Sequence, residues 1–257
     1  MAIIEAGGGR VDVEQRGAGR DLVLLHSLLT ERSVFDRVAP KLSKYRLTLV
    51  NLPGYGASTR AGSDLESYAD RVAAVLDALE ISREAAVLGN GFGGFIAVML
   101  AVRHGGRFGK LIAAPALASF PAAAKQPFHR MAGLVEAQGM AAVLDAAIQR
   151  MLPAPFIEKN PALVAERRTA LAKADAGCFS TACRALANLD LSRSLSEIRN
   201  QTLVIVGSLD ATTPPALARQ LAGGIRGAKY VELEGCGHCP QIENPQAFVA
   251  AVAAFLD

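Results

Sequence analysis

The stretch Val87-Leu88-Gly89-Asn90-Gly91-Phe92-Gly93 joins an apolar run that predicts a β-strand to a second run, Phe95 to Leu100, that predicts an α-helix. Its outer glycines match the pattern Gly-x-Ser-x-Gly, in which a sharp strand-to-helix turn presents a nucleophilic serine. The central position of the pattern is occupied by Gly91. The sequence therefore predicts an intact turn that lacks the side chain needed for a nucleophilic attack.

Short apolar runs alternate with amphipathic segments on both sides of this turn. This alternation is typical of a mostly parallel sheet covered by helices. Strands are predicted over 11–15, 21–25, 47–51, 85–88, 111–114, 202–206 and 229–233, and helices over 34–42, 65–79, 92–104, 215–221 and 245–256. Asn244 before Pro245 is a good N-cap for the last helix.

The strand pattern stops between about Phe120 and Leu189. Only helical spacing remains there, over 131–138, 140–151, 161–175 and 179–186. We therefore expect a helical insertion in a domain that is otherwise built of alternating strands and helices.

Composition excludes several classes of function. The 257-residue chain has a net charge of +3, and its Lys and Arg residues are scattered, so a nucleic-acid partner is not expected. The N-terminus does not resemble a signal peptide, and no window approaches the roughly 20 apolar residues of a membrane span. We expect a cytoplasmic protein without a membrane partner, and the sequence leaves its oligomeric state open.

The four cysteines are not expected to form disulfides, because the sequence predicts no export signal. Cys236 and Cys239 have C-x-x-C spacing with a histidine between them, but a zinc site would need further ligands at suitable spacing. The pair is interpreted as two small apolar residues in a turn, and no metal site is predicted.

Three further loops follow predicted strands and carry reactive groups. Leu25-His26-Ser27-Leu28-Leu29 could supply a backbone N–H to an oxyanion hole. Asp210 follows the strand at 202–206, and His238 follows the strand at 229–233. A turn, then an acid, then a histidine, each after its own strand, is the chain order of a Ser-Asp-His triad on an α/β sheet. Asp210 and His238 are therefore predicted to form a catalytic pair.

These residues together resemble the α/β-hydrolase superfamily over essentially the whole chain, and most closely its 3-oxoadipate enol-lactonase and esterase branch. The resemblance rests on the motifs His26-Ser27, Asn51-Leu52-Pro53-Gly54-Tyr55-Gly56, the glycine frame around Gly91, Gly207-x-x-Asp210 with Pro214, and Gly237-His238. Within the insertion, residues 136–140, 178–183 and 190–191 resemble the cap of that branch. Ser27 departs from the glycine that is usual in the family.

The resemblance implies a role for each matching position. Gly91 occupies the place of the nucleophilic serine, Asp210 that of the acid and His238 that of the base. Leu28 and Phe92 would donate the N–H groups of the oxyanion hole. The implied fold is a mostly parallel eight-stranded sheet with helices on both faces, formed by residues 1–118 and 191–257, under a helical cap at 119–190. The substrate implied is a small-molecule ester or lactone.

Glycine at position 91 leaves three hypotheses open. The chain could be an ester or lactone hydrolase whose serine has been replaced by glycine, with the acid, base and oxyanion loop retained. It could be a natural enzyme in which the Asp210–His238 pair activates water or takes a proton from the substrate, for hydrolysis, lyase chemistry or C–C cleavage. It could also be a binding protein that uses the pocket under the cap. None of the three requires a cofactor.

Overall fold

The computed structural model describes residues 1–257, and its centre is one eight-stranded β-sheet. The strands are β1 (Ala2–Ala6), β2 (Gly9–Arg16), β3 (Arg20–Leu25), β4 (Tyr45–Val50), β5 (Ala86–Gly89), β6 (Lys110–Ala113), β7 (Gln201–Gly207) and β8 (Lys229–Leu233). Their order across the sheet is β1-β2-β4-β3-β5-β6-β7-β8. The β1–β2 and β2–β4 pairs are antiparallel, and all others are parallel. The predicted fold class is confirmed.

Helices cover both faces of this sheet. They are α1 (Leu65–Ala78), α2 (Phe92–His104), α3 (Ala122–Gln138), α4 (Leu144–Met151), α5 (Ala154–Lys159), α6 (Pro161–Leu171), α7 (Ala176–Ala187), α8 (Pro215–Gly224), α9 (Pro240–Glu243) and α10 (Pro245–Leu256). The predicted cap of α10 is present, because the Asn244 side chain accepts a hydrogen bond from the Ala247 N–H at 3.1 Å. None of the helices combines the length and apolar character needed to cross a bilayer.

Several secondary-structure predictions differ from the structure, and three of these differences have a clear local cause. Strand β1 was not predicted, because its exposed edge position leaves little apolar alternation to detect. The helix predicted over 34–42 is instead two short 3₁₀ turns, Arg32–Phe35 and Ala39–Leu42. Pro40 lacks an N–H, which disfavours a continuous helix there. The helix predicted to end at 175 ends at Leu171, and Asp175 instead caps α7 by accepting a bond from the Cys178 N–H at 2.7 Å.

The segment between β6 and β7 contains helices α3 to α7 and no named strand. Helix α3 packs along α7. An isolated antiparallel bridge between Ser119 and Asp190 joins the two ends of the segment. The division into a core of 1–118 plus 191–257 and a cap at 119–190 stays a prediction.

The parallel strands bring the four loops of interest to one edge of the sheet. Leu25 at the end of β3 pairs with Gly89 at the end of β5, and Gly207 at the end of β7 pairs with Leu233 at the end of β8. Each loop leaves the carboxyl end of its strand, where the active sites of open α/β sheets gather.

Candidate active site

The turn between β5 and α2 is sharp, as the glycine pattern predicts. Gly91 has φ +54° and ψ −117°, in a region where L side chains are strained. Its N–H donates to the Pro115 carbonyl at 3.0 Å, and the Gly93 N–H donates to the His26 carbonyl at 3.0 Å. A Cβ on Gly93 would lie 2.3 Å from the Leu25 carbonyl oxygen, so the turn can approach β3 only with glycine at that position.

Asp210 and His238 lie together beside this turn. His238 Nδ1 is 2.9 Å from Asp210 Oδ2, and both side chains are buried. The other carboxylate oxygen, Oδ1, accepts hydrogen bonds from the Thr212 and Thr213 N–H groups at 2.8 and 2.9 Å. A carboxylate at Nδ1 holds the proton on that nitrogen and leaves Nε2 free as a base.

The buried carboxylate is held in its charged form. Burial by itself would raise the pKa of Asp210, but the neighbouring His238 and the hydrogen bonds from Thr213 outweigh it. The pKa of Asp210 therefore lies below its ordinary value. The acid is ionised at neutral pH, as an imidazole-orienting group must be.

Sequence reasoning missed the residues that hold the His238 loop. Glu243 Oε2 accepts from the Gly237 N–H at 2.6 Å, and its Oε1 accepts from the Cys239 N–H at 2.9 Å, so this carboxylate brackets the histidine. Asn90, inside the turn, donates to the His238 carbonyl at 3.1 Å. No motif in the sequence marks Glu243 as a partner of this loop, and Asn90, 148 positions from His238, has no spacing that links it to the histidine.

The loop after β3 is rigidly braced. The Ser27 N–H donates to Thr30 Oγ1 at 3.0 Å, and the Thr30 N–H returns a bond to the Ser27 carbonyl at 3.2 Å. The Tyr55 hydroxyl donates to the Leu28 carbonyl. The N–H groups of Leu28 and Phe92 donate to no acceptor within the protein, since Phe92 is the first residue of α2 and has no intrahelical partner. Two donors are therefore left for a ligand oxygen.

His26 is fully engaged in this loop and is not free to act as a base. Its Nδ1 lies 2.8 Å from the Ser27 carbonyl, and its Nε2 accepts from the Leu52 N–H at 2.9 Å. Burial lowers the pKa of His26 from 6.5 to about 4. The ring is therefore neutral, with its proton on Nδ1.

Ser27 occupies the space that a side chain on Gly91 would need. A Cβ built on Gly91 would lie 2.3 Å from Ser27 Oγ, 2.9 Å from Ser27 Cβ and 2.8 Å from His238 Nε2. Ser27 Oγ forms no hydrogen bond within the protein. The sequence marks Ser27 only as a departure from a family glycine, and does not reveal that this departure and Gly91 meet at one point.

A narrow, mostly apolar cleft lies over these groups, and its free volume of about 20 Å³ has room for little more than one water molecule. Its lining includes the site residues Ser27, Leu28, Phe92 and His238, and the helical-segment residues Phe120, Phe128, Met131, Arg150 and Leu186. Phe120 stacks edge-on against both Phe95 and Phe128. Met151 and Phe156, which belong to the same helical segment, do not line the cleft.

Arg150 is the one cationic side chain that lines this cleft. Its guanidinium lies over the Phe128 ring, 5.3 Å from the centroid, and forms no salt bridge or hydrogen bond with the protein. Burial lowers the pKa of Arg150, although arginine stays charged in proteins. An unpaired cation among aromatic rings is suited to the carboxylate of a ligand.

Two other polar groups, Ser58 and His104, do not line the cleft. Ser58 donates to the Asn51 carbonyl at 2.7 Å and accepts from the Asp12 N–H, so its hydroxyl is used within a turn. His104 pairs with Asp70 at 2.6 Å at the end of α2. The four cysteines are buried thiols, and no cluster of His, Cys, Asp and Glu is arranged to hold a metal ion.

Comparison with known proteins is consistent with this geometry. The pimeloyl-acyl-carrier-protein methyl ester esterase of Aeromonas hydrophila is 31% identical over 96% of this chain and 99% of its own. The 3-oxoadipate enol-lactonase 2 of Acinetobacter baylyi is 31% identical over 91% of this chain and 88% of its own. The crystal structure of the enol-lactonase from Burkholderia xenovorans superposes with a TM-score of 0.94 at 29% identity, covering 99% of each chain.

The model of the alpha/beta hydrolase family matches residues 22–252, which include Gly91, Asp210, His238 and the loop after β3. The resemblance proposed from the motifs is thereby confirmed. The chain belongs to the alpha/beta hydrolase family.

Proposed function

We propose that this protein hydrolyses a small carboxylic ester or lactone, of the enol-lactone kind, that carries its own carboxylate. The observation that carries the proposal is the geometry around His238. Its Nδ1 is held by Asp210 and its Nε2 faces the cleft, beside the free N–H groups of Leu28 and Phe92. A base next to two unpaired N–H donors in one cleft is what acyl transfer requires.

Each group has a defined task in this reaction. His238 Nε2 takes the proton of the attacking hydroxyl and later gives it to the departing oxygen. Asp210 stabilises the imidazolium formed in between. The Leu28 and Phe92 N–H groups bind the oxygen that gains negative charge when the carbonyl is attacked, a contribution of about 3–4 kcal/mol per donor in comparable sites.

The lining of the cleft supports the substrate class. Its aromatic and aliphatic side chains suit a small apolar body, and Arg150 can pair with a carboxylate at the far end. The names of the Acinetobacter and Burkholderia relatives point to an enol-lactone, and that of the Aeromonas relative to a methyl ester. The unpaired guanidinium favours the anionic lactone.

The test is a panel of neutral esters, neutral lactones and carboxylate-bearing enol-lactones, assayed with the protein and with His238→Ala. We expect turnover that falls by at least about a thousandfold in the variant, as when a triad member is removed. No hydrolysis of any substrate, together with tight retention of one of them, would instead identify a binding protein.

Arg150→Ala tests the charge of the substrate. We expect a rise in KM of about tenfold or more for carboxylate-bearing substrates and little change for neutral ones, since a hydrogen bond to a charged group contributes about 1.5–3 kcal/mol. Arg130→Ala is the matched control, because Arg130 is exposed on the neighbouring helix α3 and does not line the cleft. Equal effects of the two variants would contradict the role of Arg150.

A further inference from the structure

The turn that should carry the nucleophile has none, yet one hydroxyl remains within its space. Ser27 Oγ lies 2.3 Å from the point where a Cβ of residue 91 would stand. If residue 91 were a serine, its own hydroxyl oxygen would lie one C–O bond length from this Cβ position. Ser27 thus approaches the place of the missing hydroxyl from the opposite wall, the loop after β3.

The same point lies 2.8 Å from His238 Nε2. Because both atoms lie within 2.8 Å of one point, Ser27 Oγ and His238 Nε2 are no more than about twice that distance apart. They do not hydrogen bond in this structure, but rotation about the Ser27 Cα–Cβ bond moves Oγ relative to the base. Catalytic hydrogen bonds in ligand-free enzymes are often longer than in the reacting complex.

We propose that Ser27 is the nucleophile of this enzyme, transferred from the turn after β5 to the loop after β3. The proposal rests on the proposed hydrolase function and names the hydroxyl that this function lacks. Residues 27 and 91 complement each other, because the glycine at 91 leaves the space that the serine at 27 fills. The hydroxyl has no competing partner in the protein, unlike that of Ser58.

The donors also fit a nucleophile at this position. In the usual arrangement one N–H comes from the residue after the nucleophile and the other from the loop after β3. With Ser27 as nucleophile, Leu28 becomes the residue after it and Phe92 the donor from the other loop. Both N–H groups are unpaired and both residues line the cleft with Ser27. The oxyanion hole is therefore formed by the same two N–H groups, with their roles exchanged.

The proposed reaction needs no reactant other than the substrate and water. The Ser27 proton passes to His238 Nε2 as Oγ bonds to the carbonyl carbon, and the bond to the ester or ring oxygen then breaks. His238 gives the proton to that departing oxygen, which leaves an acyl ester on Ser27. Water attacks this ester, its proton passes to His238, and the proton returns to Oγ as the acid is released.

The decisive experiment treats the unaltered protein with a fluorophosphonate, which forms a covalent bond with activated serines, and maps the adduct by mass spectrometry. We expect one adduct, on Ser27, whose rate of formation falls at least about a hundredfold in His238→Ala. An adduct on another serine, or none after prolonged incubation, would overturn the proposal. Because the protein is unaltered, this result does not depend on any variant folding.

Turnover provides a second measurement. Ser27→Ala is expected to lower kcat by at least about a thousandfold while retaining the folded far-ultraviolet circular dichroism spectrum, and Ser43→Ala, at an exposed serine, is expected to be unchanged. If Ser27→Ala keeps a tenth or more of kcat while His238→Ala does not, the hydrolase function stands and the nucleophile is water. If Ser27 is labelled but no substrate is hydrolysed, the nucleophile proposal stands and the assigned reaction is wrong.

Discussion

Placing a serine at the turn is the most direct perturbation of this site. The structure predicts that Gly91→Ser alone destabilises the protein and does not give a fully active enzyme. In Gly91→Ser the new Cβ would stand 2.9 Å from Ser27 Cβ and 2.3 Å from Ser27 Oγ. Carbon–carbon contacts this short do not occur, and Ser27 cannot retreat easily because its backbone is bonded to Thr30. The paired change Gly91→Ser with Ser27→Gly removes both contacts.

The cost has two parts. A non-glycine residue at φ +54° is strained by about 1–3 kcal/mol, and overpacking of a closed site costs about 1–3 kcal/mol. Gly91→Ser is therefore expected to lower the free energy of unfolding by roughly 2–6 kcal/mol in total. Ser27→Gly in the same chain relieves the second part only, so the double variant should recover about 1–3 kcal/mol of it.

Urea unfolding of the parent, both single variants and the double variant gives this coupling energy directly. The activity assay adds a second readout, because the double variant restores the family's serine and should hydrolyse esters, whereas Ser27→Gly alone should not. Additive effects of the two changes on stability would refute the argument that the two side chains share one space. Full activity in Gly91→Ser alone would refute it as well.

Three other outcomes are expected. Asp210→Asn should lower kcat by about 10⁴, because an amide leaves His238 in the wrong tautomer, and steady-state kinetics with a folded-state control measures this. The free energy of unfolding should fall as pH drops from 6.5 towards 4, by up to about 3 kcal/mol. The reason is that His26 binds a proton more readily in the unfolded chain than in the folded one, where its pKa is about 4. Urea midpoints that stay constant across this pH range would contradict the prediction. Gly93→Ala should lower the melting temperature by several degrees and disrupt the turn, since its Cβ would overlap the Leu25 carbonyl; an unchanged melting curve would show that the turn can shift.

Much of the architecture could be predicted from local patterns. The strands at the centre of the sheet are buried, so their apolar runs are continuous and easily detected, and helix α2 was predicted at its observed ends. The edge strand Ala2–Ala6 and the 3₁₀ turns around Pro40 were not predicted, because neither segment has a strong hydrophobic periodicity. The positions of Asp210 and His238 followed from their order along the chain, since parallel strands bring successive loops to one edge.

Local sequence patterns were enough to predict a glycine-rich turn, a loop carrying His26 and Ser27, Asp210 and His238, each after its own strand. How these loops meet depends on the way the strands are ordered in the folded sheet. Residues 27 and 91 are 64 positions apart, and nothing in their spacing indicates contact. Their side-chain positions coincide because β3 and β5 are neighbours in register, Leu25 beside Gly89, so that the residues two places beyond each strand end face one another over the same cleft.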